Sequence, residues 1–152
     1  MQQSYKLKDQ QTLMFSEIIN PRFSDTDALG HINNTMLPIW FEGARDPVFK
    51  LFMPELSTTA WKLILAKIDV AYHGQLYYGQ PIEIKTYISR IGGASFDVHQ
   101  EAWQKGIKCS SGNAVMVHFC YENQSSAKIP SDIREELQKH QYVDEQKNTS
   151  LK

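Results

Sequence analysis

The stretch that decides the fold of this chain is Arg22-Phe23-Ser24-Asp25-Thr26-Asp27-Ala28-Leu29-Gly30-His31-Ile32-Asn33-Asn34. It places two carboxylates, an imidazole and two carboxamides within the ten positions from Asp25 to Asn34. A polar turn needs only Asp, Asn or Gly to close and to cap a helix. This stretch therefore also brings a candidate base and hydrogen-bond donors to one point of the molecule.

An apolar helix is predicted directly after this stretch. The residues of its buried face recur at steps of three and four, the spacing of one helix side: Leu37, Trp40, Phe41, Ala44 and Val48. Asn34 or Thr35 is the expected N-cap, and Pro38 fits only near that start, where backbone N–H groups lack helical partners.

Pro47 interrupts the helical pattern. It predicts either a kink after Arg45, or a second short helix that has Asp46 as its cap and Pro47 in its first turn.

The remaining elements are predicted as strands. Leu13 to Phe23, interrupted by Pro21, suits a first strand. Alternating or apolar segments predict four more, at 64–72, 82–88, 95–103 and 114–121. Gly92-Gly93 and Lys105-Gly106 mark turns between them, which suggests an antiparallel meander. A short helix is expected from Ile129 to Leu137.

The chain is expected to form a single domain, 1–152, of the α+β class. Residues 1–11 are predicted to be a loose polar arm and 140–152 a polar, frayed tail. A sheet of five or six strands must wrap around the helix to bury it, and its free edge strand invites pairing with a second copy. A homodimer or homotetramer is therefore expected.

The composition excludes several function classes. Sixteen Lys plus Arg nearly balance seventeen Asp plus Glu, so nucleic acid and membrane partners are not expected. The only cysteines, Cys109 and Cys120, have no metal-ligand spacing, and His73 and His118 stand without Cys or Asp partners at such spacing. With no signal-like N-terminus, a reduced, cytoplasmic protein without a metal or other cofactor is expected.

The element order carries a resemblance. A strand, the motif Asp-x-Asp-x-x-Gly-His-Ile-Asn-Asn, a long helix with Trp40 and Glu42, and a meander together resemble hotdog-fold acyl-thioester hydrolases of the 4-hydroxybenzoyl-CoA thioesterase type. The likeness spans about residues 12 to 138, and its motif is also similar to that of plant acyl-ACP thioesterases. It implies a hotdog fold, in which an antiparallel sheet of five to six strands wraps around one long central helix.

The resemblance implies a catalytic role for Asp27, as nucleophile or general base beside the substrate carbonyl. The structural alternative is that Asp27 only closes an Asx-turn. A histidine matching His31 is implicated in the plant enzymes, but a structural hydrogen bond explains His31 equally well. The asparagine that the plant enzymes carry two residues after the second aspartate is Leu29 here.

The oxyanion of the reaction is expected to meet backbone donors. Residues 31–34 lead into a helix N-terminus, so their N–H groups and the helix dipole favour negative charge there. The Asn34 N–H is the candidate donor, while an N-cap is the alternative role for Asn34. Gly30 fits a turn with positive φ or a close ligand approach. Asn33 is expected to bond backbone in the turn, and Asp25 to pair with local N–H groups or Arg22.

An acyl-CoA or acyl-ACP substrate is implied by the resemblance alone. Its pantetheine arm is expected along residues 72–79, beginning at Tyr72, and its acyl group beside Trp40. Arg90 is the candidate for the phosphates, with Lys85 and Lys62 as further choices. Where 4-hydroxybenzoyl-CoA thioesterase carries a basic run, this chain has only Arg90. The phosphate contacts are therefore expected to be few or to come from the neighbouring subunit.

Three further readings stay open. Glu42 either approaches the site from a partner subunit or is a solvated charge or a partner of Arg45. Hotdog hydratases carry Asp and His five residues apart around Asn-Pro, whereas Asp27 and His31 are four apart without it. A non-catalytic acyl-thioester binder of the same fold is the second rival function.

Overall fold

An antiparallel sheet of six strands curls around the helical segment that follows the motif. The computed structural model describes residues 13–142, so the predicted arm at 1–11 lies outside the described part. The strands are β1 Phe15–Ile19, β2 Leu63–Tyr72, β3 Ile82–Ile91, β4 Ser95–Gln104, β5 Ile107–Cys120 and β6 Ser125–Ser126. The helices are α1 Met36–Ala44, α2 Asp46–Phe52 and α3 Ser131–Lys139. Short 3-10 turns occupy Phe23–Asp25 and Thr58–Ala60. The α+β hotdog architecture is confirmed.

The strand order is β1-β3-β4-β5-β2, so the predicted meander is confirmed for β3, β4 and β5 but does not include β2. β3, β4 and β5 follow one another in space, joined by turns at Gly92-Gly93 and Lys105-Gly106, and β6 pairs with the end of β5. Because β1 occupies the outer edge of β3, β2 pairs instead with β5 and the chain crosses the sheet between β2 and β3. Alternation in a sequence shows which face of a strand is buried, but not which strand lies beside it.

The central helix is interrupted at Arg45, as one of the two alternatives for Pro47 predicted. The Arg45 N–H bonds the Glu42 carbonyl 3.0 Å away, and α2 then begins with Pro47 in its first turn. Asp46 is not the cap of α2, because it is already helical and Arg45 takes the N-cap position. At the start of α1 the N-cap is Thr35, which donates its N–H to Asn33 Oδ1 at 3.0 Å.

Two apolar clusters fill the space between helices and sheet. The cluster under α1 is buried against the first half of β3 and includes Trp40, Phe41 and Ile84. The second surrounds α2 and reaches α3. A Cβ at Gly112 of β5 would stand 2.9 Å from the Phe41 ring, so only glycine permits this close approach. The packing holds α1 firmly on the sheet and thereby places its N-terminus.

Residues 140–142, the first three of the predicted frayed tail, pair with β3. Ile88 donates its N–H to the His140 carbonyl and accepts the Tyr142 N–H, each at 2.9 Å, which extends the sheet beyond the end of β1. The prediction for residues 143–152 falls outside the described residues. No helix within 13–142 has the length and apolarity needed to cross a membrane.

Candidate functional site

Asp25 anchors the loop between β1 and α1. Its carboxylate, 3% exposed, accepts the Arg22 N–H at 2.8 Å and the Arg22 Nη2 at 3.0 Å. The Arg22 guanidinium, through this hydrogen bond, lowers the pKa of Asp25. The Asp25 carbonyl accepts the Asn33 N–H at 2.8 Å, which ties the two ends of the loop together. The expected pairing of Asp25 with Arg22 is confirmed.

Asp27 closes the tight turn at the tip of the loop. Its Oδ1 accepts the N–H groups of Leu29 at 2.8 Å and His31 at 3.0 Å. Gly30 takes φ +80°, and a Cβ there would meet no atom within 4 Å. The expected Asx-turn is thus present, yet it uses only one carboxylate oxygen. Within residues 13–142, Oδ2 has no hydrogen-bond partner, so the turn fixes the carboxylate and leaves one oxygen available.

His31 leans on a segment that precedes β3. Its ring meets Tyr77 edge to face, with centroids 5.4 Å apart, and the two residues form a β-bridge. No residue in the described part of the chain forms a hydrogen bond with the imidazole nitrogens of His31. Gln104 holds Tyr77 on both sides, since its Oε1 accepts the Tyr77 N–H and its Nε2 donates to the Tyr77 carbonyl, both at 2.9 Å.

Sequence reasoning missed Gln104, although a signal was present. The alternate positions of β4 that face the core are Phe96, Val98, Gln100, Ala102 and Gln104. A carboxamide on a buried strand face needs partners for its donors and acceptor. Gln104 finds them in the loop that supports His31.

The asparagines sit where the loop enters α1. Asn33 Oδ1 bonds the backbone N–H of Thr35, as expected. Tyr72, at the end of β2, donates its hydroxyl to the Asn34 carbonyl at 2.6 Å, and partial burial raises the pKa of Tyr72. No residue in the described part of the chain accepts the Asn34 N–H. An exposed, unpaired amide therefore lies one residue before the N-cap of α1, near its positive dipole end.

The structure brings Tyr72 to the loop but not Arg90. Arg90 lies near the C-terminal end of β3, about eight residues or roughly 26 Å from the strand end that the loop approaches. Its guanidinium is bonded twice to the Asp97 carboxylate at 2.9 Å and once to Ser95 Oγ. Trp40 is 9% exposed and packs in the same cluster as Ile32, beneath the loop.

No group of three or more His, Cys, Asp or Glu side chains in residues 13–142 is arranged to hold a metal ion. His73 Nε2 contacts Ser111 Oγ at 2.8 Å, and His118 Nδ1 donates to the carbonyls of Ala127 and Lys128. Both histidines have structural partners.

A large groove lies at the far end of β2 from Tyr72. Its volume is about 910 Å³, and it is lined by the 58–62 segment, the end of β5 and the start of α3. Lys62 and His118 are among its polar residues. The ten residues of β2 separate the groove from Tyr72 by roughly 30 Å along the strand. The two features do not meet within one chain.

Comparisons with known proteins match nearly the whole described chain. Residues 21–137 match the model of the thioesterase-like superfamily. A predicted thioesterase from Bacillus stearothermophilus is 42% identical, with a TM-score of 0.84 over 87% of this chain and 99% of that one. YsmA of Bacillus subtilis, an uncharacterised protein, is 27% identical over 81% of this chain and 84% of its own length. A Thermus thermophilus thioesterase solved with coenzyme A and Zn shares the fold, with 24% identity and a TM-score of 0.72 over 81% of this chain and 90% of that one.

Proposed function

This chain belongs to the thioesterase-like superfamily, and we propose that it hydrolyses acyl-CoA or acyl-ACP thioesters to free acid and thiol. Membership of this superfamily supports thioester hydrolysis in general. The observation that carries the proposal is the carboxylate of Asp27. One of its oxygens is fixed by two backbone N–H groups and the other is left free. The unpaired Asn34 N–H at the N-terminus of α1 belongs to the same loop, seven residues further along the chain.

The proposed chemistry uses these two groups in turn. Asp27 Oδ2 attacks the thioester carbonyl carbon, or removes a proton from the water that attacks it. The carbonyl oxygen becomes negative, and the Asn34 N–H with the dipole of α1 stabilises that charge. The thiolate then leaves. In the general-base route it takes the proton that Asp27 removed from water; in the nucleophilic route it takes a proton from water, and the resulting hydroxide hydrolyses the mixed anhydride on Asp27, which frees the acid and restores the carboxylate. Both roles for Asp27 fit a carboxylate held by a single oxygen.

The other loop residues support this arrangement. Gly30 and Asn33 shape the turn, and Tyr72 holds the Asn34 carbonyl at 2.6 Å. His31 stands beside Tyr77 with its ring nitrogens unbonded by other described residues, so we assign it to water or to the substrate. Trp40 forms the apolar base below the acyl group.

We also infer that the working unit is a homodimer, or a tetramer built from such dimers, with β2 as the shared edge. In the described chain β2 has a partner on one side only, and Leu65, Ile68 and Tyr72 are between 42% and 52% exposed. Antiparallel pairing of two β2 strands would place the groove of one subunit beside the Tyr72 end of the other. Lys62 in that groove then becomes the phosphate contact, which Arg90 is ill placed to be. Free Cys109 and Cys120 fit the proposed cytoplasmic location.

The proposal is tested by incubating purified protein with a panel of acyl-CoAs and acyl-ACPs and following free thiol. Hydrolysis predicts thiol release from at least one substrate. Loss of enoyl-thioester absorbance without thiol would instead identify a hydratase. Saturable binding of every substrate without thiol release would identify a non-catalytic binder. Either result contradicts the proposed hydrolysis.

A further inference from the structure

The loop that carries Asp27 is a short β-hairpin. Thr26 and Ile32 form its bridge, and the Asp27 N–H donates to the His31 carbonyl at 2.8 Å. The bonds to the Asp27 carboxylate also stay within the hairpin, since their donors are the N–H groups of Leu29 and His31. The turn at Asp27 is therefore closed by residues of the loop itself.

The hairpin docks on the connection between β2 and β3. The Ile32 N–H donates to the Leu76 carbonyl at 2.8 Å, and His31 forms an antiparallel bridge with Tyr77. The Tyr77 ring meets the His31 imidazole edge to face, at a centroid distance of 5.4 Å. Because no described residue hydrogen-bonds the His31 nitrogens, the position of the imidazole depends on Tyr77.

One buried side chain holds Tyr77 in place. Gln104, 5% exposed at the end of β4, accepts the Tyr77 N–H through its Oε1 at 2.9 Å. Its Nε2 donates to the carbonyl of Tyr77 at 2.9 Å and to that of Gln80 at 3.2 Å, so both amide protons are used. Both backbone groups of Tyr77 are thus bonded to a single carboxamide.

The carboxamide at position 104 is required for this set of bonds. An ionised glutamate of the same length has no donor for the two carbonyls, and methionine has neither the donors nor a strong acceptor. Without the carboxamide, the backbone groups of Tyr77 need water as their partner. Tyr77 is 51% exposed, so its segment can move toward solvent, and its ring then leaves the imidazole of His31.

We propose that Gln104 is a positioning residue that fixes the orientation of the His31 imidazole through Tyr77. The inference rests on the proposed function, in which His31 acts on water or on the substrate. The hydrogen bonds of the Gln104 carboxamide go to backbone groups of Tyr77 and Gln80, so its effect on the reaction is indirect. The Asp27 turn needs none of these bonds and is expected to persist when Gln104 is replaced.

The position of the imidazole can be measured without any reaction. Proton–carbon NMR of the His31 ring, assigned by comparison with His31→Ala, is recorded for wild type, Gln104→Met and Tyr77→Ala. The ring signals in Gln104→Met should move toward their positions in Tyr77→Ala, because both variants remove the ring current of Tyr77. Gln75→Met makes the same replacement at an exposed position of the same connection and should leave the His31 signals in place.

Unchanged His31 signals in Gln104→Met would overturn the proposal. This readout does not depend on thiol release, so it decides the role of Gln104 even for a protein that hydrolyses no thioester.

A double-mutant cycle tests the consequence for hydrolysis. Gln104→Met should lower kcat/KM for thiol release by about tenfold in the wild-type background, because the imidazole is no longer held. In the His31→Ala background the same replacement should change kcat/KM by less than about twofold. Equal losses in the two backgrounds would show that Gln104 acts through the fold, or that Tyr77 contacts the substrate itself, and would contradict the proposal.

Tyr77 provides a second pair of variants if Gln104→Met does not fold. Tyr77→Ala removes the ring and keeps the backbone groups that Gln104 binds, whereas Tyr77→Phe keeps the ring and is the matched control. Tyr77→Ala should lower kcat/KM by about tenfold and move the His31 signals, and Tyr77→Phe should stay within about twofold of wild type. Equal kcat/KM and equal His31 signals in these two variants would overturn the proposal.

Discussion

The two oxygens of the Asp27 carboxylate have different surroundings. Oδ1 is held by backbone amides of the turn, while Oδ2 has no partner in the described chain. The structural and catalytic interpretations of this residue are therefore compatible, because the turn supplies the rigidity that a reacting group needs. Asn34, at the entry to α1, is held in a similar way. Tyr72 donates a hydrogen bond to the Asn34 carbonyl, and the Asn34 N–H has no partner in the described chain.

A backbone oxyanion donor makes a specific prediction at Asn34. Asn34→Ala keeps the N–H and should retain kcat within a few fold, whereas Asn34→Pro removes it and should lower kcat by about 10²–10³. Steady-state thiol release measures both. The matched thermal midpoint of the two variants is the control, and equal kcat in Asn34→Pro and Asn34→Ala would contradict the assignment.

At the residue scale the sequence was informative about contacts within the loop. The pairing of Asp25 with Arg22 and the backbone bond of Asn33 are confirmed, because both depend on neighbours within three positions. Partners from distant segments were not predictable in this way. Gln104, seventy-three residues beyond His31, supports it through Tyr77, and nothing in local spacing links the two.

At the scale of elements, α1 is placed by a row of unusual residues on the sheet. Gln100 donates to the Phe41 carbonyl at 2.8 Å and to Thr86 Oγ1 at 3.1 Å, and its strand neighbour Gly112 admits the Phe41 ring. The interruption at Arg45 explains the first contact, since the Arg45 N–H bonds Glu42 instead of Phe41. Gln100 of the sheet thus donates the hydrogen bond to the Phe41 carbonyl that the Arg45 N–H does not supply.

The outer face of β4 predicts a pH effect on stability. His99, Trp103 and Lys108 surround the Glu101 carboxylate and, through the hydrogen bond from His99 first, lower its pKa to about 2. Its contribution is present above the pKa of about 4.3 in the unfolded chain and is lost as pH falls toward 2. Glu101→Gln should therefore reduce the free energy of unfolding by about 1–3 kcal/mol at pH 7.

Denaturant unfolding of wild type and Glu101→Gln between pH 7 and pH 2.5 checks this. The two stability curves should converge as the pH falls below about 4. A difference that stays constant over the whole range would show that the carboxylate charge is not responsible. Lys108→Met is the control and should cost less, because its ammonium is exposed and 3.5 Å from Glu101.

The strands themselves were largely predictable, because alternation identified β2 and β3 and the Gly92-Gly93 turn marked the start of β4. The order of the strands was not, and neither was the start of β5, which begins at Ile107 rather than at Ala114. Its first half, Ile107 to Asn113, is mostly polar, and its buried positions carry only the small residues Cys109, Ser110 and Gly112. A Cβ at Gly112 would stand 2.9 Å from the Phe41 ring of α1. Tertiary contact there overrides the local pattern.

At the scale of the whole molecule, the Asp27 loop and the 910 Å³ groove lie at opposite ends of β2. The proposed dimer brings them together, which gives the exposed edge of β2 a function. The near balance of acidic and basic residues predicts no nucleic-acid or membrane partner, which stays a prediction. A site shared between subunits depends on a second copy, which one sequence does not reveal.

The dimer makes a prediction at Ile68, which is 44% exposed at the middle of β2. Ile68→Lys places a charge on the edge strand and should shift the protein toward monomers. Ile68→Lys should weaken self-association at least tenfold, as measured by sedimentation equilibrium, and should reduce hydrolysis with it. Ile107→Lys, at a 64% exposed site outside the edge, should leave the mass unchanged. An unchanged mass for Ile68→Lys would place any interface elsewhere.

The most direct test of the proposed hydrolysis is kcat/KM for thiol release by wild type and Asp27→Asn on the best acyl-CoA substrate. Asparagine keeps an oxygen for the N–H groups of Leu29 and His31, so the turn should persist and the free energy of unfolding should change by less than about 1 kcal/mol. The account predicts a loss of about 10³-fold or more in kcat/KM at this nearly constant stability. Thiol release by Asp27→Asn within tenfold of wild type would contradict it.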